Sequence, residues 1–410
     1  MTPLFRKFLG MHWILFAITA TLMAAGIYSI YAAVHFREMD HPDLAKKWTE
    51  QLHWIMIGAV GFFAAALVDY KWIKWGSLIM YVVSIGLVAA VFKFGQAESV
   101  GKQMLSLRLP GIGVFMPAQL AIASTILLMS VVLGEAHKFF PWMRHYMVRF
   151  LVSCAIFGIP FLLMLKQGDL GSAMVIVPVA VVMLIVGNIP FRCLIAAALL
   201  GLAVIPPVYF FGLKDYQRKR IDITLDMLQG KEVDVKGAAY AQSNNQIAVG
   251  SAGWAGKGLD PKDQPPNTTN LLQLNLVPWQ TSHNDFIFVV ICETFGFRGA
   301  AALIGAFLFL LIMCLTVAFF ARDGLGRLIV TGIIALLFAH IFEHIGMNIG
   351  LLPVTGLPLP FISYGGTFLI MNLFLMGLMQ SVWVHRNRML EEEAAKQRPQ
   401  MTPRMAQALA

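Results

Sequence analysis

The sequence predicts an all-α polytopic membrane protein with about ten transmembrane helices and one large polar segment between the seventh and the eighth. Three observations predict this class. Hydrophobic residues make up 58% of the 410 residues and charged residues only 13%, a balance far from that of soluble domains. Apolar runs recur at spanning length, roughly 17–25 residues each. Polar residues gather between these runs, most densely from Lys214 to Asn284.

The runs fall at about 11–34, 51–68, 73–92, 118–134, 150–165, 170–188, 191–212, 298–320, 327–349 and 366–385. The first follows Arg6 and Lys7 and is too long for the apolar core of a signal peptide, so it reads as a retained span. Residues 1–387 then form one transmembrane domain, and the charged residues 388–410 read as a disordered cytoplasmic tail. Lys and Arg are denser in the short loops on the N-terminal side than in those opposite. That bias predicts cytoplasmic termini and places the Lys214–Asn284 segment outside. Two further segments share this outer face. Residues 93–117 are too polar to span, and Gly350–Pro360 holds three prolines and two glycines that cannot continue a helix. Non-helical backbone near membrane depth must be buried by protein or solvated by a cavity, so these segments are expected to build a site together.

Composition also excludes several functions. The net charge of +9 comes from basic residues that flank spans, which suits topology and anionic membrane lipids rather than nucleic acid. The four cysteines show neither paired nor metal-ligand spacing and read as small buried hydrophobes. The ten histidines form no HExxH-type pair.

Few residues remain to carry chemistry. Asp285 stands where the polar segment re-enters an apolar helix, and spacing alone leaves two readings: a helix cap, or a carboxylate kept for chemistry. Glu293 lies eight residues on, on roughly the same helical face, and could instead pair with Arg298. Asp169 sits between two spans as a turn or cap. Arg218, Arg220 and Lys257 could neutralise a phosphate or pyrophosphate, with glycines around Lys257 allowing close approach, or they form a solvated charge run. Glu343 and His344 are expensive in lipid and are expected to face the bundle, in packing or in function.

Gly350 to Gly366, GLLPVTGLPLPFISYGG, resembles the signature of the SEDS family of cell-wall polymerases, whose members include RodA and FtsW. Its Val354–Pro360 portion is more similar to the RodA branch. Gln167–Ser172, Tyr216–Ile221, Gln246–Gly258 and Ser282–Phe288 resemble further family motifs, and together they cover nearly the whole chain. The resemblance implies a peptidoglycan glycosyltransferase, serving wall elongation and cell shape, that polymerises lipid II outside the cytoplasmic membrane beside a class B penicillin-binding protein. It implies Asp285 as the catalytic base of an inverting displacement. It implies Arg218, Arg220, Lys257, Gln246, Ser251, His283, Asp169 and Ser363 at the substrate, with Glu293 and Gln119 in support. No cofactor is required; a divalent cation, Mg or Mn, could bridge pyrophosphate and carboxylate.

The chain departs from the family at the fourth span, where Gln119 and Ile122 replace a Glu and a Lys. Asn284, Trp279 and Gly168 are milder changes. Two other functions therefore stand beside the polymerase: a lipid II flippase, which needs no base at the rim, and a catalytically weak scaffold for a penicillin-binding protein.

Overall fold

The computed structural model describes residues 3–35, 42–97, 104–109, 113–234, 237, 239–259, 270–274, 276–278 and 280–386. Trp279 and the 388–410 tail lie outside these residues. The principal helices are α1 (Trp13–His35), α2 (Lys47–Leu67), α3 (Ile73–Phe94), α4 (Pro117–Gly134), α5 (Tyr146–Gln167), α6 (Leu170–Val186) and α7 (Phe191–Pro207). They continue with α8 (Asp215–Leu228), α9 (Tyr240–Ser251), α10 (Ile287–Phe320), α11 (Gly324–Asn348) and α12 (Gly366–His385). Among the described residues nine helices are long and apolar enough to cross a membrane, and α6, at 17 residues, is a shorter apolar helix. Together they make the ten-helix arrangement predicted from the hydropathy pattern, and the chain is a multi-pass membrane protein.

Two regions differ from the sequence expectation. The 93–117 segment carries three short antiparallel strands, β1 (Gln96–Ala97), β2 (Met104–Leu109) and β3 (Gly113–Phe115), in the order β1-β2-β3. The Lys214–Asn284 segment folds in part into helices α8 and α9 rather than remaining a plain loop. Both helices bury mainly polar side chains: Gln217 and Thr224 of α8, and Gln242 and Asn245 beside Ala248 of α9.

The core lies around α4 and α11, which are buried on almost every side, with α2 and α12 forming the most extensive helix pair. Lipid tails are as apolar as leucine, so close backbone approach between small residues has to hold such helices together. Ser84 and Ser124 join α3 to α4 by a 2.7 Å hydroxyl bond. A Cβ on Gly332 of α11 would stand 2.6 Å from Ile126 of α4, and one on Gly134 would stand 3.1 Å from the Leu325 nitrogen. These two contacts show that α4 and α11 run antiparallel.

Helix α10 is two helices in one. Gly296 takes φ 66° and ψ −160°, a conformation essentially restricted to glycine, and breaks the run. Before the break Ile287–Thr294 is buried throughout; after it Phe297 and Arg298 are exposed. The predicted start of the eighth span near residue 298 therefore marks the second half only.

A broken helix leaves backbone groups that lipid cannot satisfy. The glycine-rich turn 253–258 supplies the partners. Lys257 N donates to Glu293 O (2.7 Å), Gly258 N to Thr294 O (3.1 Å), Phe297 N to Gly253 O (2.9 Å) and Arg298 N to Trp254 O (3.2 Å). The two backbones approach so closely that a Cβ on Gly256 would lie 2.5 Å from Gly296 N. Replacing Gly296 by alanine combines a forbidden backbone conformation with this collision, and should destabilise the protein by about 2 kcal/mol or more. A thermal melt of the detergent-solubilised variant, against Gly305→Ala in open surroundings as control, measures this.

Candidate active site

The site forms where the polar segment, the helix break and the Pro-rich stretch meet at one end of the bundle. Asp285 ends a tight turn in which the amides of Asn284, Asp285 and Phe286 all point to Thr281 O, at 3.1, 2.9 and 3.2 Å. Phe286, not Asp285, occupies the N-cap of α10 and makes no side-chain cap bond. The reading of Asp285 as the helix cap is therefore corrected: the helix starts two residues later, at Ile287. A Cβ on Gly356 (φ +78°) would be 3.4 Å from Asp285 Oδ2, so the carboxylate flanks the corner of the Pro-rich stretch. Asn348 at the end of α11 donates to Asp285 O at 3.0 Å and to His344 O at 2.7 Å, fixing the turn from inside the bundle.

Arg220 approaches from α8. Its Nη1 donates to Val354 O at 2.9 Å, and its guanidinium lies within electrostatic reach of Asp285 and 5.8 Å from the Tyr216 ring centroid. Burial pulls the Arg220 pKa down, while Tyr216 and Asp285 oppose that shift. Helix α8 is aimed by its start: Tyr216 Oη and Gln217 Nε2 both donate to Gly168 O (3.0 and 3.1 Å), and Lys214 Nζ donates to Gln167 O (3.2 Å).

The Pro-rich stretch is held on both sides. Ser363 Oγ donates to Asn284 O (2.7 Å) and accepts from Leu359 N (2.8 Å). Tyr364 N donates to His283 O (2.9 Å), and the two rings meet edge to face at 5.4 Å. The Tyr364 hydroxyl bonds Glu50 of α2 and accepts from Lys47 Nζ at 3.3 Å. Ser363, expected at the substrate, is occupied in this scaffold, whereas the buried His283 ring, also expected there, packs on Tyr364 with its Nδ1 lacking a hydrogen-bond partner. Gln246 lies over Gly350 and packs the start of the same stretch. Asp169 caps α6, accepting from Ser172 N at 3.0 Å, and burial pushes its carboxyl above the ordinary range.

Three expectations are corrected. Lys257 and Glu293 form a buried ion pair, Nζ to Oε1 2.9 Å, with side chains 3% and 0% exposed. Glu293 also accepts from Leu271 N (2.6 Å) and Leu272 N (3.1 Å), and Lys257 also donates to Ser251 Oγ (2.9 Å). Lys257 and Ser251 are thus spent inside the fold and do not present a cation and hydroxyl to a pyrophosphate. Glu293 pairs with Lys257 rather than Arg298, which lies over the Trp254 ring at 5.7 Å. Arg218 does not join Arg220: two residues apart on a helix they face different ways, and Arg218 Nη2 donates to Leu213 O at 3.0 Å. Gln119 is buried in the first turn of α4, one of the helices packed against α11.

The sequence reading missed Asn348, Thr355 and the Lys47–Glu50–Tyr364 group. The i, i+4 spacing of His344 and Asn348 was the available signal for Asn348; the others come together only through tertiary structure. Among the described residues no group of three or more His, Cys, Asp or Glu side chains is arranged to hold a metal ion.

The fold and the corner together define a polytopic membrane protein with a carboxylate and an arginine at one end of its helix bundle. The family model described as "cell cycle protein", FtsW/RodA/SpoVE, matches residues 12–388, and the chain belongs to this family. It is 32% identical over 308 residues to the peptidoglycan glycosyltransferase MrdB of Escherichia coli K12, covering 75% of this chain and 77% of that one. It is 29% identical over 381 residues to a probable peptidoglycan glycosyltransferase FtsW of Geobacter sp. M18, covering 92% and 98%. Two solved chains share the fold. One belongs to a peptidoglycan synthase complex solved for the coordination of polymerization and crosslinking (24% identity, TM-score 0.70, 92% of this chain and 98% of that). The other is the Rod shape determining protein RodA of Thermus thermophilus (21% identity, TM-score 0.63, 92% and 97%).

Two outcomes follow from the site's electrostatics. Lys257→Met leaves the Glu293 charge buried without its cation, and should cost about 3–5 kcal/mol of stability. Thermal unfolding measures the loss. Burial, assisted by the Lys47 ammonium, lowers the His283 imidazole to about 4 from its ordinary 6.5. Between these values the unfolded chain takes up a proton that folded His283 refuses, so stability is full above pH 6.5 and falls as pH drops towards 4. Melting curves of wild type and His283→Gln across that window should converge at the acid end.

Proposed function

We propose that the protein is a peptidoglycan glycosyltransferase that polymerises lipid II into glycan strands at the outer face of the bacterial cytoplasmic membrane. Its termini lie in the cytoplasm and its site lies outside, as the Lys and Arg distribution supports. The observation that carries the reading is the placement of Asp285 against Gly356, with Arg220 within electrostatic reach, at a corner built from non-helical backbone.

The chemistry follows from these groups. The sugar hydroxyl of an incoming lipid II attacks the anomeric carbon of the growing chain. The bond from that carbon to the pyrophosphate lipid breaks, and the carbon inverts. Asp285 takes the hydroxyl proton as the new bond forms. Arg220 is the cation placed to meet the charge that grows on the departing pyrophosphate. The bond energy resides in the substrate, so no nucleotide is consumed. The match to a chain of a synthase complex that couples polymerization and crosslinking supports a class B penicillin-binding protein as partner.

The test supplies purified lipid II to the full-length protein with a class B penicillin-binding protein and resolves the glycan products by gel. Asp285→Asn should abolish polymer, and Arg220→Ala should lower the rate by about 10²-fold, the usual scale for a preorganised charge. Undiminished polymer from Asp285→Asn, with contaminating polymerases excluded, overturns the reading. Lipid II that crosses vesicle membranes without polymer formation turns it into a transporter.

A further inference from the structure

Helix α11 carries a buried acid that the chemistry above does not use. Glu343 is 4% exposed, and its Oε1 has no hydrogen-bond partner. An acid buried in this way is costly unless its setting uses it. The groups that face it are few. Its carboxyl lies beside the Thr355 hydroxyl and within electrostatic reach of Asp169 at the start of α6. His340 and His344 are its titratable neighbours on α11, buried with Nε2 atoms that have no partner. Helix α4, one of three that pack closely on α11 with α6 and α10, brings no charge to this level. From the contact of Ile126 with Gly332, antiparallel helices rising about 1.5 Å per residue place Gln119 opposite residue 339 or so. Gln119 and Ile122 are both uncharged there.

Thr355 is the group through which Glu343 reaches the site. The last two turns of α11 hold the stretch at Thr355 and just after it. His344 Nδ1 bonds Leu357 O at 2.7 Å, and Thr355 Oγ1 points to Met347 Sδ at 3.6 Å. From the other side the first turn of α6 presses on the same residue: a Cβ on Gly171 would stand 3.0 Å from Thr355 Cβ and 2.7 Å from Leu357 Cγ. The next residue is Gly356, whose corner the Asp285 carboxylate flanks, and the residue before is Val354, whose carbonyl takes Arg220. Three consecutive residues thus face Arg220, Glu343 and Asp285 in turn.

We propose that Glu343 is a positioning residue for the glycosyl transfer. It orients the Thr355 hydroxyl and so fixes the Gly356 corner against which Asp285 works. This rests on the assignment of Asp285 as base. A sulfur is a weak acceptor, so the Thr355 hydroxyl gains from turning to the carboxyl, and the unpartnered Oε1 gains equally. The effect falls on the geometry of the proton transfer and not on the binding of lipid II, so it appears in kcat and leaves KM in place.

The experiment is a double-mutant cycle on polymerisation of lipid II by the full-length protein with its penicillin-binding protein. Glu343→Met, which keeps the volume, and Thr355→Val should each lower kcat by about tenfold at unchanged KM, the scale of a modest misplacement of reacting groups. The double variant should be no slower than the slower single one. Glu343→Gln and Thr355→Ser, which keep an acceptor and a hydroxyl, should restore most of the rate. Equal melting temperatures identify variants that remain folded; should Glu343→Met unfold, the test rests on Thr355→Val, whose unchanged rate overturns the proposal. Losses that multiply, or a change in KM alone, also overturn it. Asp285→Asn is measured alongside. If that variant polymerises, the assignment of the base fails; if it is dead while Glu343→Met and Thr355→Val run at full rate, only the positioning role fails.

Discussion

The buried pair of Lys257 and Glu293 is the interaction on which the rest of this corner depends. Neither charge reaches water, and each is satisfied by more than its partner: Glu293 also takes two backbone amides, and Lys257 also takes the Ser251 hydroxyl. An ion pair desolvated this far repays its cost only when such additional bonds are made. The arrangement ties three distant stretches to one point: the glycine-rich turn at 257, the turn at 271–272 and the buried half of α10. Asp285 stands just before that half helix, so its position is inherited from a contact two helical turns away.

The break at Gly296 explains why such a tie exists. A continuous helix from 287 to 320 would satisfy its own backbone and would leave the glycine-rich turn without a seat. Interrupting it creates unsatisfied groups at a depth where lipid offers none, and the 253–258 backbone meets them in register. Glycine at 256 and 296 is required because each backbone occupies the space a side chain would take. The glycines around Lys257 therefore admit another stretch of protein backbone, where the sequence alone equally suited an anion. The same run of small residues fits both purposes, and only the partner distinguishes them.

Much of the architecture was legible because bilayer thickness imposes a length on apolar runs, and the ten runs read from hydropathy correspond to the helices found. The non-helical character of Gly350–Pro360 was equally legible, since proline removes the donors a helix needs. Pairings were not. Glu293 has Arg298 five residues away and Lys257 thirty-six away, yet it pairs with the distant one, because the helix break turns the near one towards Trp254. Arg218 and Arg220 look like one basic cluster in sequence, but helical α8 points them apart, and its helical state was hidden in a segment read as a loop.

With Lys257 spent in the fold and Arg218 turned to Leu213, Arg220 is the cation of the predicted set that reaches Asp285. Its hydrogen bond to Val354 O is to a backbone carbonyl, a neutral acceptor that holds the guanidinium without cancelling its charge. An arginine paired with a carboxylate in a bidentate bridge would have little left for a phosphate; one braced by Val354 O keeps further N–H donors in the same planar fork. The brace also links the cation to the strand of residues that shapes the Asp285 corner. Any shift of Val354–Gly356 therefore moves the base and the anion-binding group together. Coupling of that kind favours a reaction in which proton removal and departure of an anion occur in one step, because both groups reach their working positions only when the same three residues do.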